Sequence, residues 1–321
     1  MIKKITLVLV FIILSVITYL LYSKHTVQTT IIEIKKGESV KEIAKQLKEK
    51  NIIDDWRVFY YYTRIKQKPL KAGVYEFSGE LNTVDVWKIL ENGKEKLFKI
   101  TIVPGDNLFD IAEKLDKNKI ISKEKFLKFV FNPENVKAYK LKGLSFEGYF
   151  PPETYLLRRN SDINYIVKAF LFVFNKKYRL YEKDFKEISF YDAMKIASMV
   201  EKETKLPEEK PLIAGIIINR LKKRMYLQID PTVIYGLELT KQWNGKLIKK
   251  DMKINTPFNT YLHYGLPPTP ICSFGLDSLL AVKNHKNTDY LYYVANGESH
   301  IFSKSYKEHL RTIHKIKKSK H

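Results

Sequence analysis

The chain has 321 residues, of which 45% are hydrophobic and 13% aromatic, and it carries a formal net charge of +22. That length and apolar content exclude a disordered tail and allow two domains, each with its own core. The single cysteine, Cys272, excludes an intramolecular disulfide and reads as a small buried hydrophobe.

After Lys3 and Lys4, residues 5–22 form a nearly pure apolar run, about the length that crosses a bilayer. Tyr19, Leu20, Leu21 and Tyr22 stand where a cleaved signal would carry its small-x-small site, so the run predicts an uncleaved transmembrane anchor. Residues 1–4 become a short cytoplasmic N-terminus and residues 23–31 a linker. Lys24, Lys35 and Lys36 reduce the charge asymmetry, but the short charged head favours an inside N-terminus with the body on the outer face.

An internal repeat follows. IEIKKGESVKEIAKQLKEKNII (32–53) aligns without a gap on ITIVPGDNLFDIAEKLDKNKII (100–121). Each copy has a β-like run, a glycine (Gly37, Gly105) and a helix cap, Ser39 with Glu42 and Asn107 with Asp110. Apolar residues then recur at helical spacing: Val40, Ile43, Ala44 and Leu47 in one copy, Leu108, Ile111, Ala112 and Leu115 in the other. KAGVYEF reads as a strand between them and NTVDVWKILENG as a capped helix closed by Gly93, giving an α+β module over 32–125. Residues 126–185 read as a helical, basic connecting region interrupted by LSFEGYFPPETYLL.

The densest patterning lies in 186–321. YDAMKIASMVEKET is a helix, PEEKPLIAGIIINRLKKRM a second with proline in its first turn, and IDPTVIYGL a third with Asp230 as its expected cap. A loop rich in Pro, Asn and Tyr comes next, then the helix LDSLLAVKNH, a hairpin with Asn296-Gly297 at its tip, and the basic closing helix SYKEHLRTIHKIKK.

The two acids of ASMVEKET are not equivalent. On a helical wheel Ile196, Ala197, Met199 and Val200 share a face, Glu203 falls inside that arc, and Glu201 lies near its opposite edge. An inward carboxyl loses the hydration that favours its charged form, which raises its pKa and suits a general acid. The alternative is a frayed helix end, with Glu203 in water or paired with a lysine. Nearby Tyr, Asn and Pro suggest a cleft for a hydroxyl-rich ligand such as carbohydrate, with Tyr149, Tyr155, Tyr235 and Tyr261 as candidate stacking platforms.

No phosphate loop, GxSxG elbow or cysteine nucleophile competes, and the seven histidines lack paired-ligand spacing, so neither a metal nor a cofactor is expected. The charge favours an anionic partner, but the lysines are spread over the chain, and a carboxylate-rich bacterial wall would satisfy them. Nucleic acid would require a cytoplasmic body and is not expected.

Six blocks in order, EGYFPPETY, ASMVEKET, PLIAGIIINRL, LQIDPTVIYG, NTYLHYGLPP and TDYLYYVANGESHIFSKSYKEH, resemble the YceG-like endolytic murein transglycosylases (MltG) from about Glu147 to His309. The resemblance implies a mixed, helix-rich α+β catalytic domain over 186–321 behind a LysM-like module. It also implies a cytoplasmic-membrane enzyme that cuts nascent peptidoglycan strands and terminates their elongation, with a peptidoglycan synthase as a candidate partner. In the family the second glutamate of the E-K-E-T block is catalytic, which falls on Glu203. Gln228, Asn259 and Tyr261 become candidates for orienting sugar hydroxyls or acetamido groups, and Glu147 for either a supporting acid or a buried structural pair. Two departures stand out: Pro151-Pro152-Glu153 replaces the usual aromatic-Pro-Asp, and Ile229 replaces the threonine of LQTDPT. A hydrolase using Glu147 or Glu153 as base, or a wall-binding scaffold without catalysis, would fit the same fold.

Overall fold

A computed structural model describes residues 2–319 as a mixed α+β chain in two compact units, Met1–Phe98 with Leu156–Asn160, and Lys99–Tyr155 with Ser161–His321.

The first unit contains α1 (Ile2–Tyr22), β1 (His25–Ile34), α2 (Val40–Glu49), α3 (Trp56–Lys66), β2 (Gly73–Leu81) and α4 (Thr83–Asn92). Helix α1 is exposed from Lys4 to Tyr19, with Leu7 76% and Phe11 72% exposed, and its Lys4–Tyr22 stretch is long and apolar enough to cross a membrane. Its C-terminal end is tied to α4 by Thr83 Oγ1, which donates to Leu20 O at 3.0 Å. Strands β1 and β2 pair antiparallel from His25 opposite Leu81 to Ile34 opposite Gly73, with an irregularity between Val27 and Thr30. Their inward residues join Ile43, Leu47, Phe59, Trp87 and Leu90 in one buried core.

The second unit holds all but the first residue of β3 (Phe98–Ile102), then α5 (Leu108–Lys117), α6 (Lys123–Val130), α7 (Pro133–Ala138), the first part of β4 (Glu153–Leu157), which pairs with β3, and α8 (Ile163–Lys177). It continues through α9 (Phe190–Glu203), α10 (Lys210–Lys222), α11 (Asp230–Leu239), α12 (Leu276–Lys283), the hairpin β5 (Tyr292–Asn296) and β6 (Ser299–Ser303), and α13 (Tyr306–Ser319). Phe126, Phe146, Phe150, Phe170 and Phe174 are fully buried and form its aromatic core.

In each repeat copy a turn glycine precedes a capped helix. In α2 the Ser39 hydroxyl accepts from Glu42 N while the Glu42 carboxylate accepts from Ser39 N, and Asn107 with Asp110 does the same for α5. Gly37 (φ +85°) and Gly105 (φ +90°) make the left-handed turns before them. The copies nevertheless fall in different units, so the division does not follow the expected 125/126 boundary. Local hydrogen bonds give the reason. The turn of the second copy exchanges backbone bonds with Ser273 (Gly105 N to Ser273 O, 2.8 Å; Ser273 N to Asp106 O, 2.6 Å), and Lys202 Nζ donates to Gly105 O at 3.2 Å. This copy is built into the unit that carries Glu203.

Helix α9 is packed by α10, α11 and α12. Ala193, Met194 and Ile196 through Val200 are all buried, more of the circumference than the wheel's apolar face contained. Ser198 explains part of the excess: its hydroxyl accepts from Ile271 N at 3.0 Å, and its carbonyl faces the buried Cys272 thiol at 3.3 Å. On α10, Gly215 is required because a Cβ there would meet the Lys286 carbonyl oxygen at 2.6 Å. In the hairpin, Asn296 pairs with Ser299, so the turn is Gly297-Glu298, one residue later than expected.

Candidate active site

Helix α9 stops at Glu203 because Thr204 turns to extended backbone (φ −145°), with its N–H still donating to Val200 O. The Thr204 hydroxyl donates to Glu209 Oε2 at 2.9 Å, and the same carboxylate accepts from His300 N and His300 Nδ1, both at 2.7 Å. Glu209 thus clamps the β5–β6 hairpin to the end of the helix. Burial alone would raise its pKa, but these hydrogen bonds outweigh it and hold the group below the usual carboxylate range.

The clamp places Tyr293 of β5 over Glu203, and its hydroxyl donates to Glu203 Oε2 at 2.8 Å. Glu203 lines an open hollow of about 330 Å³ with Arg220, Gln228, Asp230, Tyr261 and Tyr292, closed on the α13 side by Tyr306 and His309. Although the residue keeps some exposure, its carboxyl is enclosed, and burial pushes its pKa up. The Tyr293 hydrogen bond opposes that rise, the Asp230 charge adds to it, and His300 and Arg220 oppose it.

Across the hollow, Asp230 Oδ1 accepts from the Tyr261 hydroxyl at 2.5 Å. Arg220 spends Nε on Leu291 O (2.7 Å) and Nη1 on Leu227 O (2.6 Å) while lying over the Tyr292 ring. Nδ1 of His309 is buried without a hydrogen-bond partner among the described residues, and burial, then Arg220, lowers its pKa, which favours the neutral imidazole. The site therefore offers one carboxyl with a raised pKa, a second carboxyl bonded to a tyrosine, a cation and several aromatic faces.

Glu201, two residues earlier, has a different role. Its Oε2 accepts from Gly275 N (2.8 Å) and Ser278 Oγ (2.7 Å), and Lys210 Nζ lies 3.3 Å from both carboxylate oxygens. Glu201 and Lys210 side chains are 7% and 5% exposed, a buried ion pair joining α9, α10 and α12. Burial does not separate the two glutamates; a neutralising lysine does.

The YceG-like family model matches residues 32–315, most of the chain. The chain belongs to the YceG-like family. It is 32% identical to an endolytic murein transglycosylase of Bacillus subtilis over 92% of this chain and 87% of the relative. It is 29% identical to one of Streptococcus pneumoniae over 82% of this chain and 53% of that longer protein. A crystal structure of a YceG-like protein from Listeria monocytogenes superposes with a TM-score of 0.61 at 30% identity, covering 89% of this chain and 99% of that one.

Against this YceG-like framework, the site residues expected from sequence divide into two sets. Glu203, Gln228 and Tyr261 line the hollow together. Glu147, Tyr149 and Asn259 are not among its lining residues and are buried inside the protein, where Glu147 Oε1 has no hydrogen-bond partner among the described residues. The Tyr149 hydroxyl bridges Lys142 N and O. The Asn259 amide donates to Met252 O and Ile254 O, while its Oδ1 accepts from Tyr261 N at 3.0 Å, so it shapes the loop that presents Tyr261. Tyr155 and Tyr235 are likewise buried and are not platforms. Asp230 is also corrected: it makes no helix cap, and its carboxylate faces the hollow. Glu153 pairs with Lys177 at the surface, and Ile229 is buried, so both departures from the family blocks lie off the cavity lining.

Sequence reasoning missed Arg220, Tyr292, Tyr293, Tyr306 and His309. Four of them lie in the last family block and Arg220 in the IIINRL block, but single-chain periodicity gives no sign that a hairpin and the closing helix fold back onto the end of α9.

Glu147 is fully buried, accepting from Leu108 N (3.1 Å) and the Tyr235 hydroxyl (2.8 Å) at the start of α5. Burial pushes its pKa up to about 8 from an ordinary 4.5. Its contribution to stability is complete below the unfolded value and is lost as pH rises through about 8, because over that window the folded protein holds a proton that the unfolded chain has released. Glu147→Gln is therefore expected to flatten the decline in stability between those limits, checked by denaturation midpoints across pH.

Proposed function

We propose that this protein is a membrane-anchored lytic transglycosylase that cuts the bond between N-acetylmuramic acid and N-acetylglucosamine in nascent glycan strands. The observation that carries the reading is a carboxyl whose pKa burial raises, without a neutralising cation bonded to it, in an aromatic-lined hollow at the end of α9. The names of the relatives support the substrate class.

In this mechanism Glu203 donates its proton to the glycosidic oxygen as positive charge builds on the anomeric carbon. The resulting carboxylate, stabilised by the Tyr293 hydroxyl, takes the proton from the muramic acid 6-hydroxyl, whose oxygen closes on that carbon. The bond to the leaving sugar breaks, a 1,6-anhydro end forms, and no water is consumed. The apolar α1 supports anchoring in the cytoplasmic membrane with the N-terminus inside. The paired β-turn-α copies support a LysM-like contribution to wall binding, and a termination role next to a synthase follows from cutting new strands at the membrane.

A hydrolytic reading is favoured by one observation, the second carboxylate in the hollow, Asp230, which could orient a water. Mass analysis of the products from uncrosslinked strands separates the two. The proposal expects ends lighter by one water than reducing ends; mainly reducing ends would transfer the assignment to a muramidase.

A further inference from the structure

Two segments that build the catalytic rim continue past it. Residues 226–230 and 260–264 run side by side, joined by Gln228 N donating to Thr260 O (3.1 Å) and Ile229 N donating to Thr260 Oγ1 (3.0 Å). Gln228, Asp230 and Tyr261 face the hollow. At the far ends, Tyr226 and Tyr264 stack with ring centroids 3.7 Å apart and planes 15° from parallel.

Tyr264 is 63% exposed and lines two open hollows, of about 580 Å³ beside Arg224 and about 540 Å³ beside Pro257 and His263. Arg224 is exposed. The pair is held firmly: Arg220, which faces the catalytic hollow, donates through Nη1 to the carbonyls of Tyr226 and Leu227. Chain geometry keeps Tyr226 within about 7 Å of Gln228 and Tyr264 within about 11 Å of Tyr261.

We infer that the Tyr226–Tyr264 pair is a saccharide-binding shelf outside the catalytic hollow, stacking the C–H face of a pyranose in the strand being cut, with Arg224 placed for a carboxylate the strand carries. An exposed aromatic face with a hydroxyl at its edge matches a sugar ring, apolar on its faces and polar around its rim. Continuity with the rim selects the same strand over a separate ligand. This rests on the glycan-cleaving reading above.

The test compares long uncrosslinked strands with fragments short enough to fill the hollow alone, using the full chain. Tyr264→Ala is expected to lower the ratio of long-strand to short-fragment kcat/KM about five- to tenfold, the scale of one lost aromatic contact, while Tyr264→Phe retains it. In an otherwise Glu203→Gln chain, which leaves strands uncut, Tyr264→Ala should weaken retention of long strands to the same extent. An unchanged ratio with unchanged retention overturns the shelf, and Tyr226→Ala guards against an effect peculiar to the exposed ring. If the wild-type chain cuts no glycan but retention still falls in Tyr264→Ala, the catalytic reading fails and the shelf stands.

Discussion

Replacing Glu203 by Gln is expected to lower strand cleavage by about 10²- to 10⁴-fold, the range for losing a positioned acid. The substitution keeps the side chain's volume and leaves an oxygen to accept from the Tyr293 hydroxyl, so hairpin and helix end remain joined. Thermal unfolding and wall retention should stay close to wild type. A wall-binding scaffold predicts the opposite, no change in any cellular effect, so the pair of measurements discriminates between classes of function.

The second large effect concerns stability. Lys210→Ala leaves the Glu201 carboxylate buried at the meeting point of α9, α10 and α12 without its cation, and removing one member of a buried pair costs about 3–5 kcal/mol. Asp277, whose Oδ2 lies 2.7 Å from Lys210 Nζ, loses the same partner but is half exposed and can be rehydrated. The measurement is a denaturant midpoint shift at constant slope. Neutralising Glu201 as well, in Lys210→Met with Glu201→Gln, should recover part of the loss because the amide oxygen can still accept from Gly275 N and Ser278 Oγ. No recovery would mean that the lysine acts through packing and not through charge.

Local rules explain which features could be read from sequence. Caps, turn glycines and apolar spacing act within a few residues, so the β-turn-α copies, α9, α10 and the hairpin were legible, and the wheel singled out Glu203. What escaped was long-range. Whether Glu147 touches substrate depends on Tyr235 and Leu108, both distant in sequence, and whether Asp230 caps α11 depends on a tyrosine 31 residues away. The division between the repeat copies failed for the same reason: identical local patterns place β3 and α5 equally well in either unit, and the bonds to Ser273 and Lys202 decide. Glu201 illustrates the limit of a wheel, which separates faces but cannot show that a lysine from the next helix neutralises one of them.

The central claim is that Glu203 keeps its proton at the pH where the enzyme works. Infrared difference spectra of wild type against Glu203→Gln, recorded across pH, observe that carboxyl directly. The account predicts a protonated carboxyl band that disappears only at a pH above the ordinary glutamate midpoint, in the direction that burial shifts the group. A carboxylate already ionised with the ordinary glutamate midpoint of about 4.3 would contradict it.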